Sequence, residues 1–467
     1  MKTHLRRRER EKGFVLTLYT LMMLFVIVPI VGLAIDSGIL FAIKAKLQAA
    51  VDGAALGASR SLNRGETIQS QEDAATSTAI SFYHANFPAG WMNVNTVADP
   101  TVSWANSTTS TAVIDVTGNV TAPTWFMGIL GFNTVNVTAT SESTRRNVDI
   151  MLIIDRSGSL ASSGSCGTLA SSAQLFVSSF SNNRDRMGLV TFGTYYNYDF
   201  AFNYDFQSGL TTTLSSLNCV GWTNAAAAYW KGYQYLKGLS DLNALNVILF
   251  FTDGQPNTVT FGQADGGTGP LVTPTGTCQP SPSASGFSGT VGGNADGIYQ
   301  QTVSTYPAPN PDQFIVGSTG CNFTNKINQV LSTSSIPSLP NTDAFGNSLT
   351  SDLLGGTGFP YSVTLTGSNV RINSSNVQNG GINALDNAAQ RARQDAAANN
   401  VPFIVYTIGL GNSGGVNDEL LKRIANDPTA LAYQTSYSAG TYIYTPDTAH
   451  LSQAFATIAD DIMRISK

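Results

Sequence analysis

Charge is scarce in this sequence. Lys, Arg, Asp and Glu make up 12% of its 467 residues, about half the roughly 25% of an ordinary soluble domain. The net balance is −5, and no basic stripe follows the first dozen residues, which argues against a nucleic-acid partner. Histidine is rarer still. His4, His84 and His450 are the only three, and they leave little material for a His-based triad. No G-x-x-x-x-G-K-[ST] loop and no H-E-x-x-H occurs, so an enzyme is not expected. The four cysteines, Cys166, Cys219, Cys278 and Cys321, form no C-x-x-C or Cys/His group, which removes zinc from consideration. An even count in an oxidising compartment reads as two disulfides. Four cysteines allow three pairings. The sequence-near pairs Cys166–Cys219 and Cys278–Cys321 are the expectation, with free thiols in small-residue loops as the alternative.

What fills the space is Gly (44 residues) together with Ser, Thr and Asn, the composition of an extracytoplasmic protein with long polar loops. The basic stretch 1–12 is followed by an uncharged apolar run, Gly13 to Ile35. That run is long enough to span a hydrocarbon layer and longer than a signal-peptide core. Pro29 is tolerable in a membrane helix, where it makes a kink. The basic flank places residues 1–12 in the cytoplasm and everything after Asp36 outside. An uncleaved anchor is favoured over a cleaved signal peptide and over a pilin-type leader. Gly13-Phe14 resembles a pilin cleavage site, but Leu18 stands where pilins normally carry Glu.

After the membrane, Leu40, Ile43, Leu47, Ala50, Val51, Ala54, Ala55 and Ala58 keep three-to-four spacing, predicting a helix over 37–62. Its small-residue stripe permits close packing, against the next segment or against a second copy, so homo-oligomerisation stays open. Residues 74–85 predict a second helix, and 101–104, 112–116 and 135–140 alternate like strands. Region 36–146 therefore reads as a small α+β unit.

From 147 to 467 apolar runs alternate with helical segments, the pattern of a mostly parallel α/β sheet. Strands are expected at 148–154, 187–192, 247–251 and 403–409, and helices at 168–180, 224–238, 382–399, 416–425 and 447–464. Continuous apolarity in 148–154 and 247–251 indicates strands covered on both faces. The first of these surfaces into Asp155-Arg156-Ser157-Gly158-Ser159. Trp222-Thr223-Asn224 precedes a helix, and Phe251-Thr252-Asp253-Gly254 ends another strand. Ligands of open α/β sheets bind at the carboxyl ends of strands, where Asp155 and Asp253 fall. Each piece also has a plain reading, Thr223 as a helix N-cap and Asp253-Gly254 as a turn. Together they form an oxygen-only set suited to a hard cation such as Mg²⁺, Mn²⁺ or Ca²⁺.

Two family resemblances follow from these residues. Gly32-Leu33-Ala34-Ile35-Asp36 and Lys46-Leu47-Gln48-Ala49-Ala50-Val51-Asp52-Gly53-Ala54-Ala55-Leu56, with Thr121 to Phe126 and Leu130-Gly131 more loosely, resemble the N-terminal region of TadG-like Flp (Tad) pilus-assembly proteins. Val51 and Gly53 stand where that family often has Ala. The second set, with Arg186 to Phe192, Val405 to Gly411 and Asp418 to Ala425, resembles von Willebrand factor A (VWA) domains and their metal-ion-dependent adhesion site. This resemblance implies a Rossmann-like fold and a metal site of Asp155, Ser157, Ser159, Thr223 and Asp253. It further implies a cation that is most often Mg²⁺ and a coordination position open to a partner's carboxylate. The departure is an insertion of about 257–380, rich in Gly, Ser, Thr, Pro and Asn, expected to be a partly ordered lobe closed by Cys278–Cys321. It starts on the metal-bearing edge and either supplies partner specificity or covers the site. The expectation is a bacterial inner-membrane protein, single-pass, whose outer domain binds a cation and a protein partner in Tad/Flp pilus assembly or adhesion. The alternative is a scaffold in which metal only stabilises.

Overall fold

The computed structural model describes residues 15–65, 67–105, 111–193, 196–262, 297–301, 314–317, 338–339, 341–343, 345–355, 358–366, 369–371, 374–411 and 415–466. They divide into two compact units, with the boundary at Arg145/Arg146.

The first unit is built on one long helix, Val15–Ser61. Its apolar first half leaves side chains such as Leu16, Leu21, Phe25 and Ile30 exposed. By length and composition it is a candidate single-pass membrane anchor. The irregularity that Pro29 predicts takes the form of a π-turn at Met23–Ile27. Pro29 has no N–H for the carbonyl of Phe25, and the wider turn absorbs the mismatch. The regular remainder, α1 (Val28–Ser61), buries Ile43, Leu47, Ala50, Val51, Ala54, Ala55 and Ala58 completely or nearly so. This stripe is covered by α2 (Ile68–Asn86) through Ala75, Ala79 and Tyr83, and by the inward residues of a three-stranded sheet. The small residues of the stripe therefore serve packing within the chain.

The sheet has the order β1 (Thr101–Ala105), β2 (Thr111–Pro123), β3 (Thr134–Arg146). Ala112, Ile114, Val116, Val120 and Ala122 alternate inward along β2, the period of a half-buried strand. Gly118 falls on the same face because a Cβ there would sit 2.6 Å from the Tyr83 ring.

The second unit is a six-stranded sheet between two helical layers. Its strands are β4 (Val148–Asp155), β5 (Arg186–Phe192), β6 (Tyr196–Asn203) and β7 (Leu245–Thr252). After the short strands β8 (Thr258–Gly262), β9 (Gly297–Gln301), β10 (Phe314–Gly317), β11 (Ser338–Leu339), β12 (Leu365–Thr366) and β13 (Asn369–Arg371) come β14 (Phe403–Leu410) and β15 (Thr441–Thr445). The large sheet runs β15-β14-β7-β4-β5-β6, parallel throughout except for β6 at one edge. Every residue of β4, β7 and β14 is buried. The reason is two-sided cover. Met151, Ile153, Ile248 and Phe250 meet α6 (Ala225–Lys237), α7 (Ser374–Ala398) and α8 (Asp418–Ala425). Ile150, Leu152, Ile154, Val247, Leu249 and Phe251 meet α4 (Cys166–Ser178), α5 (Gln207–Ser215) and α9 (Leu451–Ile465) on the other face, and the short α3 (Gly158–Ser162) follows β4.

The insertion differs from expectation at its far end. Helix α7 begins at Ser374, inside the expected insertion, and a strap at 345–364 packs on it. The strap is stitched down by a row of asparagines. Asn383 Nδ2 donates to the carbonyls of Leu349 (2.7 Å) and Tyr361 (2.9 Å), and its Oδ1 accepts the Tyr361 N–H (2.7 Å). Asn387 holds Ser348, Ser351 and Leu353 in the same way, and Asn376 pairs with both backbone groups of Thr364. Side-chain amides spaced along one helix face thus do what a strand edge does, satisfying buried backbone groups without charge. The expected Cys278–Cys321 pair lies outside the described residues.

Candidate metal centre

The carboxyl edge of the parallel sheet brings Asp155, Ser157, Ser159 and Asp253 together. Asp155 ends β4 and has no solvent exposure. Its Oδ1 accepts the Ser157 N–H (2.7 Å) and its Oδ2 accepts the Thr252 hydroxyl (2.6 Å). The hydroxyls of Ser157 and Ser159 lie 3.0 Å apart, and Ser159 donates to Asp253 Oδ1 at 2.7 Å. Two carboxylates and two hydroxyls from loops nearly a hundred residues apart form one chain of hydrogen bonds. Ser157 is buried, whereas Ser159 is exposed and Asp253 is half-buried, so the outer side of the cluster is reachable from solvent.

Thr223 is joined by its backbone to the segment after Asp253. Its N–H donates to Asn257 Oδ1 (2.7 Å), and its carbonyl accepts the Asn257 N–H (3.1 Å). This ties the second loop to the segment that follows Asp253. The residue at the α6 N-cap is Asn224, so the capping role first considered for Thr223 does not hold. The second loop is also stitched to the first. Gly158 N–H donates to the Gly221 carbonyl (2.9 Å), and Val220 N–H donates to the Arg156 carbonyl (2.6 Å). A disulfide between Cys166 and Cys219, with Cα atoms 6.1 Å apart, joins the same two segments. Replacing both cysteines by serine removes a cross-link over 53 residues and is expected to lower unfolding stability by about 3 to 4 kcal/mol. Urea denaturation of the variant, and of the unmodified protein with and without reductant, reads this directly.

The electrostatics of the cluster are unfavourable as it stands. Burial, and then the neighbouring Asp253, push the Asp155 carboxyl up to about 7. Burial likewise raises Asp253, against the bonds it accepts from Ser159 and Ser157. Arg156, although between Asp155 and Ser157 in sequence, extends to Thr191, donating from Nε at 3.0 Å. Two carboxylates are thus forced together in a poorly solvated corner, a situation a divalent cation corrects. The donors are all oxygens, two of them on neutral hydroxyls, and this fits a hard cation. Among the described residues no group of three or more His, Cys, Asp or Glu could hold a metal, so any ion here would rest on hydroxyls as well as on the two carboxylates.

Two residues escaped the sequence reading. Thr252 both bonds Asp155 and closes a turn on Gly254, and Asn257 bridges the second and third loops. The available signal was Thr directly before Asp at a strand end, where a hydroxyl falls on the face opposite its neighbour's.

Two family models match parts of the chain. Residues 150–255 match the model for the von Willebrand factor type A domain, and residues 13–61 match the Flp pilus-assembly TadE/G-like model. The second unit is accordingly a VWA-like α/β domain. No curated protein matches the sequence. Among solved structures, the vWF domain of the type V pili tip protein Mfa5 from Porphyromonas gingivalis is 16% identical. That match covers 69% of this chain and 97% of the vWF-domain chain, at a TM-score of 0.37. The pilus adhesin SpaC from Lactobacillus rhamnosus GG is 12% identical over 78% of this chain and 33% of its own, also at 0.37. The PilB minor pilin from Streptococcus sanguinis is 13% identical over 79% and 78%, with the same score.

Proposed function

We propose that this chain is a membrane-anchored envelope protein of a Tad/Flp pilus system. Its outer VWA-like domain holds a divalent cation and, through it, a protein partner. The observation that carries this reading is the buried Asp155 carboxylate, linked through Ser157 and Ser159 to Asp253 at the carboxyl edge of the sheet. Asp155, Ser157, Ser159, Thr223 and Asp253 would hold the cation, Mg²⁺ first, with Mn²⁺ and Ca²⁺ as alternatives. When bound, the ion would supply positive charge to accept a partner's carboxylate. The chain's own residues do the positioning. Thr252 and the Ser157 N–H fix the Asp155 carboxylate, and the Gly158–Gly221 bond and the Cys166–Cys219 disulfide hold two loops in register.

The apolar helix and its match to the Tad family support single-pass anchoring, and the basic stretch 1–12 favours a cytoplasmic N-terminus with the bulk outside. A disulfide in the domain fits an oxidising compartment. The role is binding and not catalysis, because the carboxylates that would act as bases are committed to the cation and its positioning bonds.

A scaffold reading, with metal only stabilising, draws on the same hydrogen-bond chain, since that chain also laces three loops together. Cells carrying Ser157→Ala in place of the native residue separate the two. The binding reading expects piliation and surface adhesion to fall and to be insensitive to added Mg²⁺. Unchanged piliation and adhesion alongside a lowered melting temperature of the purified domain would leave the scaffold reading standing.

A further inference from the structure

The connection between β2 and β3 is fastened to the apolar helix by a side chain the metal site does not use. Asp36, 1% exposed, accepts three consecutive backbone N–H groups, from Trp125 (3.0 Å), Phe126 (2.9 Å) and Met127 (2.6 Å). Charge-assisted bonds of this kind hold a loop in one place. One turn earlier along the helix, Gly32 makes room for the Phe126 ring, since a Cβ at 32 would lie 2.6 Å from its Cγ. Phe126 therefore packs beside a position three residues inside the apolar run that ends at Ile35, about 5 Å along the helix axis. The run of 23 residues from Gly13 to Ile35 spans about 34 Å, against a hydrocarbon layer of about 30 Å. Phe126 consequently falls at the boundary between acyl chains and headgroups.

The rest of the connection is clamped as well. Thr124 N–H donates to the Asn133 carbonyl (3.1 Å), its hydroxyl donates to the Phe132 carbonyl, and Met127–Leu130 forms a short 3₁₀ turn. What this rigid tip presents is apolar. Trp125 is 61% exposed, Ile129 81% and Phe132 60%. Between Asp115 and Glu142 no charged residue occurs. A hydrogen-bonded loop that displays three large apolar side chains in water is unfavourable. At a membrane surface, Trp and Phe beside a spanning helix are favoured.

We propose that Thr124–Phe132 is an interfacial tip that lies in the outer leaflet beside the spanning helix, with Trp125, Ile129 and Phe132 among the headgroups and upper acyl chains. The proposal rests on the anchor reading of the helix. The tip fixes the depth and rotation of that helix, which apolar length alone leaves free.

The test uses the full chain with Cys278→Ser and Cys321→Ser, in nanodiscs of phosphatidylethanolamine and phosphatidylglycerol. An environment-sensitive fluorophore is placed by Leu21→Cys, Ile129→Cys or Glu142→Cys, one at a time, and quenched by lipids spin-labelled at shallow or deep acyl positions. Leu21→Cys and Ile129→Cys should both be quenched and Glu142→Cys should not. Shallow labels should quench Ile129→Cys at least about twofold more than deep ones, as burial near the headgroup boundary requires. Adding Asp36→Ala should reduce quenching at Ile129→Cys and leave Leu21→Cys unchanged. Quenching at Leu21→Cys with none at Ile129→Cys overturns the tip, including the case in which a protein partner covers it, and leaves the anchor intact. No quenching at Leu21→Cys removes the anchor and the tip together.

Discussion

Titrated with Mg²⁺ in a calorimeter, residues 147–467 are expected to bind the ion, and the same residues carrying Asp155→Ala and Asp253→Ala are expected to show no binding heat. At an ion concentration about a hundredfold above Kd, the bound state gains about 2.7 kcal/mol. For a domain of this size that raises the melting temperature by roughly 4 °C, and the double variant should show no such rise. The double substitution is chosen over a single one because the carboxylates act as a unit. Asp155 is positioned by Ser157 N–H and Thr252, and Asp253 is held by Ser159, so either alone retains an anionic corner. Thr252→Val separates positioning from ligation. It removes the 2.6 Å bond to Asp155 while keeping every proposed ligand, and second-sphere losses of this kind cost about 10- to 100-fold in affinity. Binding by the double variant equal to that of the unmodified domain would sink the metal reading.

How much of this was legible before the structure depends on what each residue faces. Strands β4, β7 and β14 announce themselves because both faces are covered and the apolar run is unbroken. The edge strands β6 and β15 do not. Tyr196-Asn197-Tyr198-Asp199-Phe200 mixes aromatic and polar residues because one side meets α6 while much of the other meets solvent. Thr441–Thr445 is half-exposed along most of its length. The clustering of Asp155, Ser157, Ser159 and Asp253 was readable for a related reason. Asp155 and Asp253 each stand where an apolar strand stops, and although either alone reads as a turn residue, a parallel sheet brings both strand ends to one edge. Thr252 was hidden because a threonine in a strand is ordinary, and its bond to Asp155 spans 97 positions. The role of the asparagine row on α7 was hidden, because Asn376 falls in the expected insertion and Asn383 and Asn387, inside the expected helix, are poor helix formers with no local partner to reveal their use. Only the strap's unpaired backbone groups give Asn376, Asn383 and Asn387 their purpose, and no local pattern reveals a segment that docks from elsewhere in the chain.

The strap also carries the largest stability effect expected in the domain. Arg423, on α8, is fully buried, with its Nη2 2.7 Å from Asp386 on α7 and 2.9 Å from Asp352 in the strap. Its guanidinium stacks 4.1 Å from the Phe359 ring centroid. Burial raises the Asp386 carboxyl to about 6 even with Arg423 pulling it down, so the cation is what keeps two interior carboxylates tolerable. Arg423→Met keeps the volume and deletes the charge, leaving Asp352 and Asp386 facing each other without a counter-ion. The expected loss is about 3 to 5 kcal/mol, measured as a lowered urea midpoint at unchanged slope. Combining it with Asp352→Asn and Asp386→Asn should restore most of that loss, because the cost lies in uncompensated charge and not in missing contacts. None of the three residues belongs to the proposed cation site. Below its own unfolding transition, Arg423→Met should therefore still bind Mg²⁺ with near-native affinity. If it does not, the strap is coupled to the metal loops, most directly through Gly381 of α7, where a Cβ would lie 3.3 Å from Pro256, three residues beyond Asp253.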